Sequence, residues 1–110
     1  ILLNEKGGPN HVGNFCFAPV HADTQTGELI YTPAYYYIGH FSKFIRPGAK
    51  RISTTTSRST LESTSFRNKD GKIVTVVMNK TDKPIAYKLI VSDSEVLLEL
   101  EPRAIQSIIY

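Results

Sequence analysis

The chain has 110 residues and a mass of 12.3 kDa, with 41% hydrophobic and 21% charged residues. That is the size of one ordinary domain with enough apolar content for a core, and it excludes a disordered chain. The net charge is +3, yet residues 1–48 are neutral and residues 49–110 carry ten basic and seven acidic groups mixed in sign, which argues against a nucleic-acid partner.

No apolar run reaches the roughly 18 residues of a membrane span, so none is expected. A single cysteine, Cys16, rules out an internal disulfide. Ile1-Leu2-Leu3 lacks both a starting Met and a basic leader region, so the chain is expected to be a piece of a longer protein.

Composition changes at Pro47-Gly48. Residues 1–48 hold eight of eleven aromatics, all three His and six of seven Gly, whereas residues 49–110 are rich in Thr, Ser, Val and Ile. Two parts, 1–48 and 49–110, are therefore expected. In the first, an apolar strand end runs from Ile1 into a Gly- and Asn-rich loop. Val20 to Asp23 and Glu28 to Tyr31 flank Thr24-Gln25-Thr26-Gly27 as a hairpin. A helix is predicted over 33–45, with Thr32 as its cap and Pro33 in the first turn. Ala34, Ile38, Phe41 and Ile45 fall on one face, widened by Tyr37 and Phe44. Pro47-Gly48 ends it.

Beyond that point six strands are predicted, over 50–56, 62–68, 72–79, 85–91, 95–100 and 104–110. Asp70-Gly71 is the strongest hairpin signal. Residues 73–78 are apolar on both faces and are expected to form a central strand. Short strands joined by tight turns indicate an antiparallel sandwich or small barrel.

Chemistry-bearing residues are sparse. No phosphate, zinc or dinucleotide motif is present. His11, His21 and His40 lack ligand spacing and read as ordinary loop and helix histidines, so neither a metal nor a cofactor is expected. Cys16, between Phe15 and Phe17, reads as a buried small hydrophobe. Glu99 and Glu101 share one face of a strand and cannot straddle a bond as an acid and a base. Tyr35-Tyr36-Tyr37 is expected to contribute in part to a core. Asn79-Lys80-Thr81 has the form of a glycosylation sequon and reads as a turn. The segment Asn4-Glu5-Lys6-Gly7-Gly8-Pro9-Asn10-His11-Val12-Gly13-Asn14-Phe15 stands out. In a (β/α)8 barrel such a strand-to-loop passage lies on the rim that meets substrate, although Asn residues also satisfy tight loops.

Asn4 to Asn10 and Gly13-Asn14-Phe15, followed by Gly39-His40-Phe41-Ser42-Lys43-Phe44-Ile45 and Pro47 to Ile52, resemble the C-terminal part of glycoside hydrolase family 30, the glucosylceramidase family. Asp70 to Lys80 is similar to its sandwich hairpin. The resemblance implies that residues 1–48 are the last strand, loop and helix of a (β/α)8 barrel and that residues 49–110 form an antiparallel β-sandwich. It implies a retaining glycosidase acting on β-glucosidic bonds of a glycolipid or glycan, with both catalytic glutamates before Ile1. Catalytic residues are thus expected to be absent here, Glu5 being neither of the two. Asn14 matches a sugar-contacting position, and His11 stands where the family often has Trp. The apolar helix 33–45 is expected to need a partner: the sandwich first, then self-association or the remainder of the barrel. The rival reading is a non-catalytic carbohydrate-binding or interaction module. It is weakened because the sandwich part holds only Phe66, Tyr87 and Tyr110 for an aromatic platform.

Overall fold

The computed structural model describes residues 2–110; Ile1, where the strand end was expected to begin, lies outside the described residues. Two compact units are present, Ile1–Gly39 and His40–Tyr110.

The first unit holds three short strands, β1 (Leu2–Asn4), β2 (Val20–Ala22) and β3 (Leu29–Tyr31), in that order. β1 runs parallel to β2, and β2 and β3 form the expected antiparallel hairpin. The Asp23 carboxylate makes its turn by accepting the N–H groups of Gln25 at 2.8 Å and Thr26 at 3.0 Å.

Helix α1 follows (Pro33–Ser42), shorter than the predicted 33–45. The Thr32 hydroxyl, expected as its cap, donates instead to the carbonyls of Ala18 and Pro19. None of the residues of α1 is buried. Tyr35 and Tyr36 are exposed and Tyr37 is half-buried, so the tyrosine run supplies no core residue.

The early end of α1 has a tertiary cause. Asn68 is buried, and its side chain donates to the Phe44 carbonyl at 3.0 Å and accepts the Arg46 N–H at 3.0 Å. These bonds replace helical ones just before Pro47, whose ring disfavours helical backbone at the preceding residue.

In the second unit, β4 (Lys50–Ile52), β5 (Leu61–Arg67), β6 (Ile73–Asn79) and β9 (Ile105–Ile109) form an antiparallel sheet in the order β4-β5-β6-β9. β7 (Ile85–Val91) and β8 (Ser94–Leu100) form a two-stranded antiparallel sheet. The first predicted strand is cut from 50–56 to three residues, because β4 pairs with β5 only through Ile52↔Ser65. The Ser- and Thr-rich stretch beyond it has hydroxyls that compete for backbone partners.

β6 is interior, as its two apolar faces predicted. Val74, Val76, Thr75 and Val77 are all buried, whereas Ile73 and Met78 are half-buried. On one face Leu61, Val77 and Leu100 join Ile85, Tyr87, Ala104 and Ile108 across the two sheets, which makes the core of a sandwich. Tyr87 donates its hydroxyl to Gln106 at 2.8 Å. Its burial raises the phenol above its ordinary titration range. At the opposite face, His40 Nδ1 lies 2.9 Å from Ser107 Oγ of β9.

Asn79 anchors the end of β6. It is 1% exposed, and its two amide hydrogens are shared among the carbonyls of Lys83, Leu100 and Glu101 at 2.7, 3.3 and 3.0 Å. Its Oδ1 accepts the Thr81 N–H and hydroxyl at 2.9 and 2.8 Å. The sequon does form a turn, and its asparagine is spent on holding that turn.

Candidate functional site

The loop of residues 5–19 leaves the C-terminal end of β1 and returns to β2. Two isolated bridges pin it, Asn4↔Gly7 and Gly8↔Cys16. Gly8 and Cys16 exchange both backbone bonds, at 3.2 and 3.1 Å. Gly7 has φ +90°, and a side chain there would meet the Cys16 carbonyl at 2.6 Å, so the pin requires glycine. Residues 9–15 project beyond this pin. They contain a short 3-10 turn, Asn10–Val12, closed by Gly13 at φ +65°, and all are exposed.

Asn14 lies on this projection. Its Oδ1 accepts the Cys16 thiol at 3.3 Å, and its amide nitrogen makes no hydrogen bond among the described residues. Both N–H donors are thereby open to solvent. Cys16 itself is exposed, contrary to the expectation of a buried hydrophobe. The Gly8↔Cys16 bridge puts its backbone in the pin and leaves its side chain beside Asn14. Asn4 behaves as a loop asparagine, with Oδ1 accepting the Lys6 N–H at 3.1 Å.

Glu5 is held in place by Thr24. Its carboxylate accepts the Thr24 N–H at 3.0 Å and the Thr24 hydroxyl at 3.2 Å. The backbone N–H of Thr24, followed by Glu5's own, holds its carboxyl below the usual carboxylate range.

His21 has a role that its sequence position did not reveal. It is 4% exposed, accepts the Ala18 N–H at Nε2 (3.0 Å), and has Nδ1 2.6 Å from the Asn4 carbonyl. One neutral tautomer, with hydrogen on Nδ1, satisfies both contacts. The ring ties the start of the loop at Asn4 to its end at Ala18. The period-2 pattern of Val20-His21-Ala22 was the only available signal, since it sets His21 on the opposite face from its neighbours. His11 is exposed and takes no part in this arrangement. Among the described residues, no group of three or more His, Cys, Asp or Glu side chains is placed to hold a metal, and no helix is long and apolar enough to cross a membrane.

A concavity of about 570 Å³ lies within the second unit, with Thr54–Arg58, Tyr87 and Leu97 among its lining. Ser63 contributes a buried hydroxyl with no partner among the described residues. The cleft holds no pair of carboxylates.

A strand, a glycine-pinned loop and a helix, followed in the chain by a two-sheet sandwich, have the form of the end of a (β/α)8 barrel with an appended sandwich domain. Residues 1–45 match the glycosyl hydrolase family 30 TIM-barrel domain, and residues 48–108 match the glycosyl hydrolase family 30 beta sandwich domain. The chain belongs to glycoside hydrolase family 30, as a sandwich domain preceded by a short barrel-end region with one helix.

It is 38% identical over 96 residues to the lysosomal acid glucosylceramidase of Mus musculus, covering 86% of this chain and 18% of that protein. Over 97 residues it is 38% identical to putative glucosylceramidase 2 of Caenorhabditis elegans, with the same two shares, 86% and 18%. The crystal structure of SrfJ from Salmonella typhimurium matches with a TM-score of 0.94 at 37% identity, over 99% of this chain and 24% of that one. The endo-β1,6-glucanase BT3312, at 24% identity and a TM-score of 0.85 over 96% of this chain and 24% of that one, shares the fold. The chain thus spans about a fifth of the length of the curated relatives named here.

Proposed function

We propose that the chain is the C-terminal portion of a retaining glycosidase that cleaves β-glucosidic bonds of a glycolipid or glycan. Residues 1–48 serve as the last β/α unit of the barrel and residues 49–110 as the accessory sandwich. The observation that carries this reading is the pinned loop after β1, which presents Asn14 with its amide donors unused. Sugar hydroxyls accept such donors, and the C-terminal rim of a barrel is where substrate is met. The family match and the glucosylceramidase names of two relatives support the substrate class.

Retaining hydrolysis needs two carboxyl groups about 5–5.5 Å apart, one as nucleophile and one as acid and then base. Glu5 is engaged by Thr24, and the resemblance puts both catalytic glutamates before Ile1. The chain alone therefore turns over no substrate, and its contribution is orientation of the sugar. The exposed apolar residues of α1, Tyr36 and Ile38 among them, take the remainder of the barrel as their cover.

The rival reading, a free-standing carbohydrate-binding module, has less support. In the sandwich, Tyr87 is half-buried and bonded to Gln106, and the Tyr110 hydroxyl bonds Thr75 at 3.0 Å. Tyr31, Tyr35 and Tyr36 cluster on the first unit, but their rings meet at 57° and 85° and make no flat platform.

Asn14→Ala in the full-length parent tests the proposal. Loss of a hydrogen bond to the sugar lowers kcat/KM by the equivalent of about 1–3 kcal/mol on a β-glucoside. Unchanged kcat/KM removes Asn14 from the site. Turnover by the purified chain above a contaminant control overturns the assignment of catalysis to the missing part.

A further inference from the structure

An asparagine amide meets a ligand in one of two ways. Its oxygen and nitrogen are close in size, so a half-turn about the last side-chain bond exchanges a pair of donors for an acceptor at the same place. The group that stands beside the amide decides which is shown.

For Asn14 that group is Cys16. The Cys16 thiol donates to Asn14 Oδ1 at 3.3 Å, and this is the only hydrogen bond of the Asn14 side chain among the described residues. The sulfur is carried on backbone that has little freedom. The Cys16 N–H and carbonyl are both bonded to Gly8, at 3.1 and 3.2 Å, and Gly7 passes so close that a side chain on it would meet the Cys16 carbonyl at 2.6 Å. The flanking side chains, Phe15 and Phe17, are 57% and 84% exposed and have no polar group to take the place of the thiol. A thiol donates and is only a weak acceptor, so it selects the amide orientation with Oδ1 inward and both hydrogens outward.

We propose that Cys16 is a positioning residue whose thiol holds the Asn14 amide with its donors toward the sugar. This role rests on the reading of Asn14 as a substrate-facing residue. The ring and glycosidic oxygens of a glucoside accept and cannot donate, whereas its hydroxyls do both. Outward donors serve all of these oxygens, and an outward carbonyl would serve the hydroxyls alone. Both side chains are exposed in the free chain, so water competes for the bond there. A bound sugar excludes that water, and an amide already turned the right way has less freedom left to lose.

A double-mutant cycle in the full-length parent tests this, read as kcat/KM on an aryl β-glucoside for Cys16→Ala, Asn14→Ala and the two together, with Cys16→Ser as the conservative variant. Cys16→Ala is expected to lower kcat/KM about twofold to tenfold. Cys16→Ser restores most of that loss, because a hydroxyl also donates, and Cys16→Ala has no further effect in the Asn14→Ala background. A part in the pin alone would cost the same factor in both backgrounds, so an equal loss in the two overturns the positioning role. Cys16→Ser no better than Cys16→Ala overturns it as well. Parental kcat/KM in Cys16→Ala beside an impaired Asn14→Ala also overturns it and keeps Asn14 at the site. Unchanged kcat/KM in Asn14→Ala removes both the substrate-facing reading of Asn14 and the role of Cys16. Should Cys16→Ala fold poorly, Cys16→Val, which keeps the bulk and lacks the donor, takes its place in the cycle.

Discussion

His21 Nδ1 lies 2.6 Å from the backbone carbonyl of Asn4, and that bond joins the end of β1 to the strand beside it. With the Ala18 N–H on Nε2, the imidazole closes both ends of the loop that carries Asn14. His21→Ala leaves a buried N–H at Ala18 and a half-buried carbonyl at Asn4 without partners. The expected loss is about 1–3 kcal/mol, read from denaturant unfolding of the parent, with kcat/KM falling as the loop loosens. Unchanged stability and kinetics would show that the two bridges hold the loop unaided.

Asn79 gives a sharper test, because every polar atom of its side chain is engaged. Asn79→Asp sets a carboxylate against the carbonyls of Lys83, Leu100 and Glu101. One carboxylate oxygen keeps the Thr81 N–H and hydroxyl, but the other is buried against three carbonyls with no donor, which costs about 3 kcal/mol, so the sandwich should fail to fold or melt far below the parent. Thr81→Ala, which also destroys the sequon, costs about 1 kcal/mol through the lost hydroxyl bond. In a glycosylating host the folded protein should carry no glycan at Asn79, since a modified nitrogen cannot donate to these three carbonyls. A mass increment on the Asn79 peptide of the folded, soluble protein would contradict this.

Amide exchange should be slowest in β6. Its ladder bonds run to β5 on one side and β9 on the other, while β8 pairs with β7 alone. Opening β6 requires disruption of the whole sheet, whereas β8 opens at an edge. Faster exchange at Val74–Val77 than at Val96–Leu98 would contradict the order β4-β5-β6-β9.

The hairpin between β2 and β3 should respond to acid. The Thr24 N–H lowers the titration of Glu5, and the N–H groups of Thr26 and Gln25 lower that of Asp23. Both carboxyls are depressed by folding, so what they contribute is complete above the unfolded carboxylate values of about 4 and is lost as pH falls through the lower folded values. The Thr24 and Thr26 amide shifts in an NMR titration should stay constant from neutral pH down to about 4 and move only below it. A midpoint at or above the ordinary carboxylate value would mean that these bonds do not persist in solution.

Local rules made much of the architecture legible. Ile73, Val74, Val76, Val77 and Met78 put apolar side chains on both faces of the strand, which suits an interior strand covered on both sides. Asp70-Gly71 fixes the β5–β6 register because Gly71 accepts φ +89°. The Gly7-Gly8 pair and the asparagines after it marked the rim loop. The same residues carried the family resemblance, because close backbone approach tolerates few alternatives.

Other features depend on residues far apart in sequence. Asn68 ends the helix early, His21 closes the loop, and Asn79 spends a sequon on backbone carbonyls. Each is a polar side chain whose partner is supplied by the fold, and isolated polar residues carry no periodic signal. A cluster of cations has the same origin. Residues 43–51 and 67–72 look like ordinary mixed surface in a linear reading, and pairing Lys50 with Arg67 makes them one patch. Composition and periodicity determined which segments become strands, turns and helix, because those depend on neighbours within a few positions. Which charges and amides meet was decided by tertiary structure, because that depends on strand register and on what burial leaves within hydrogen-bonding reach.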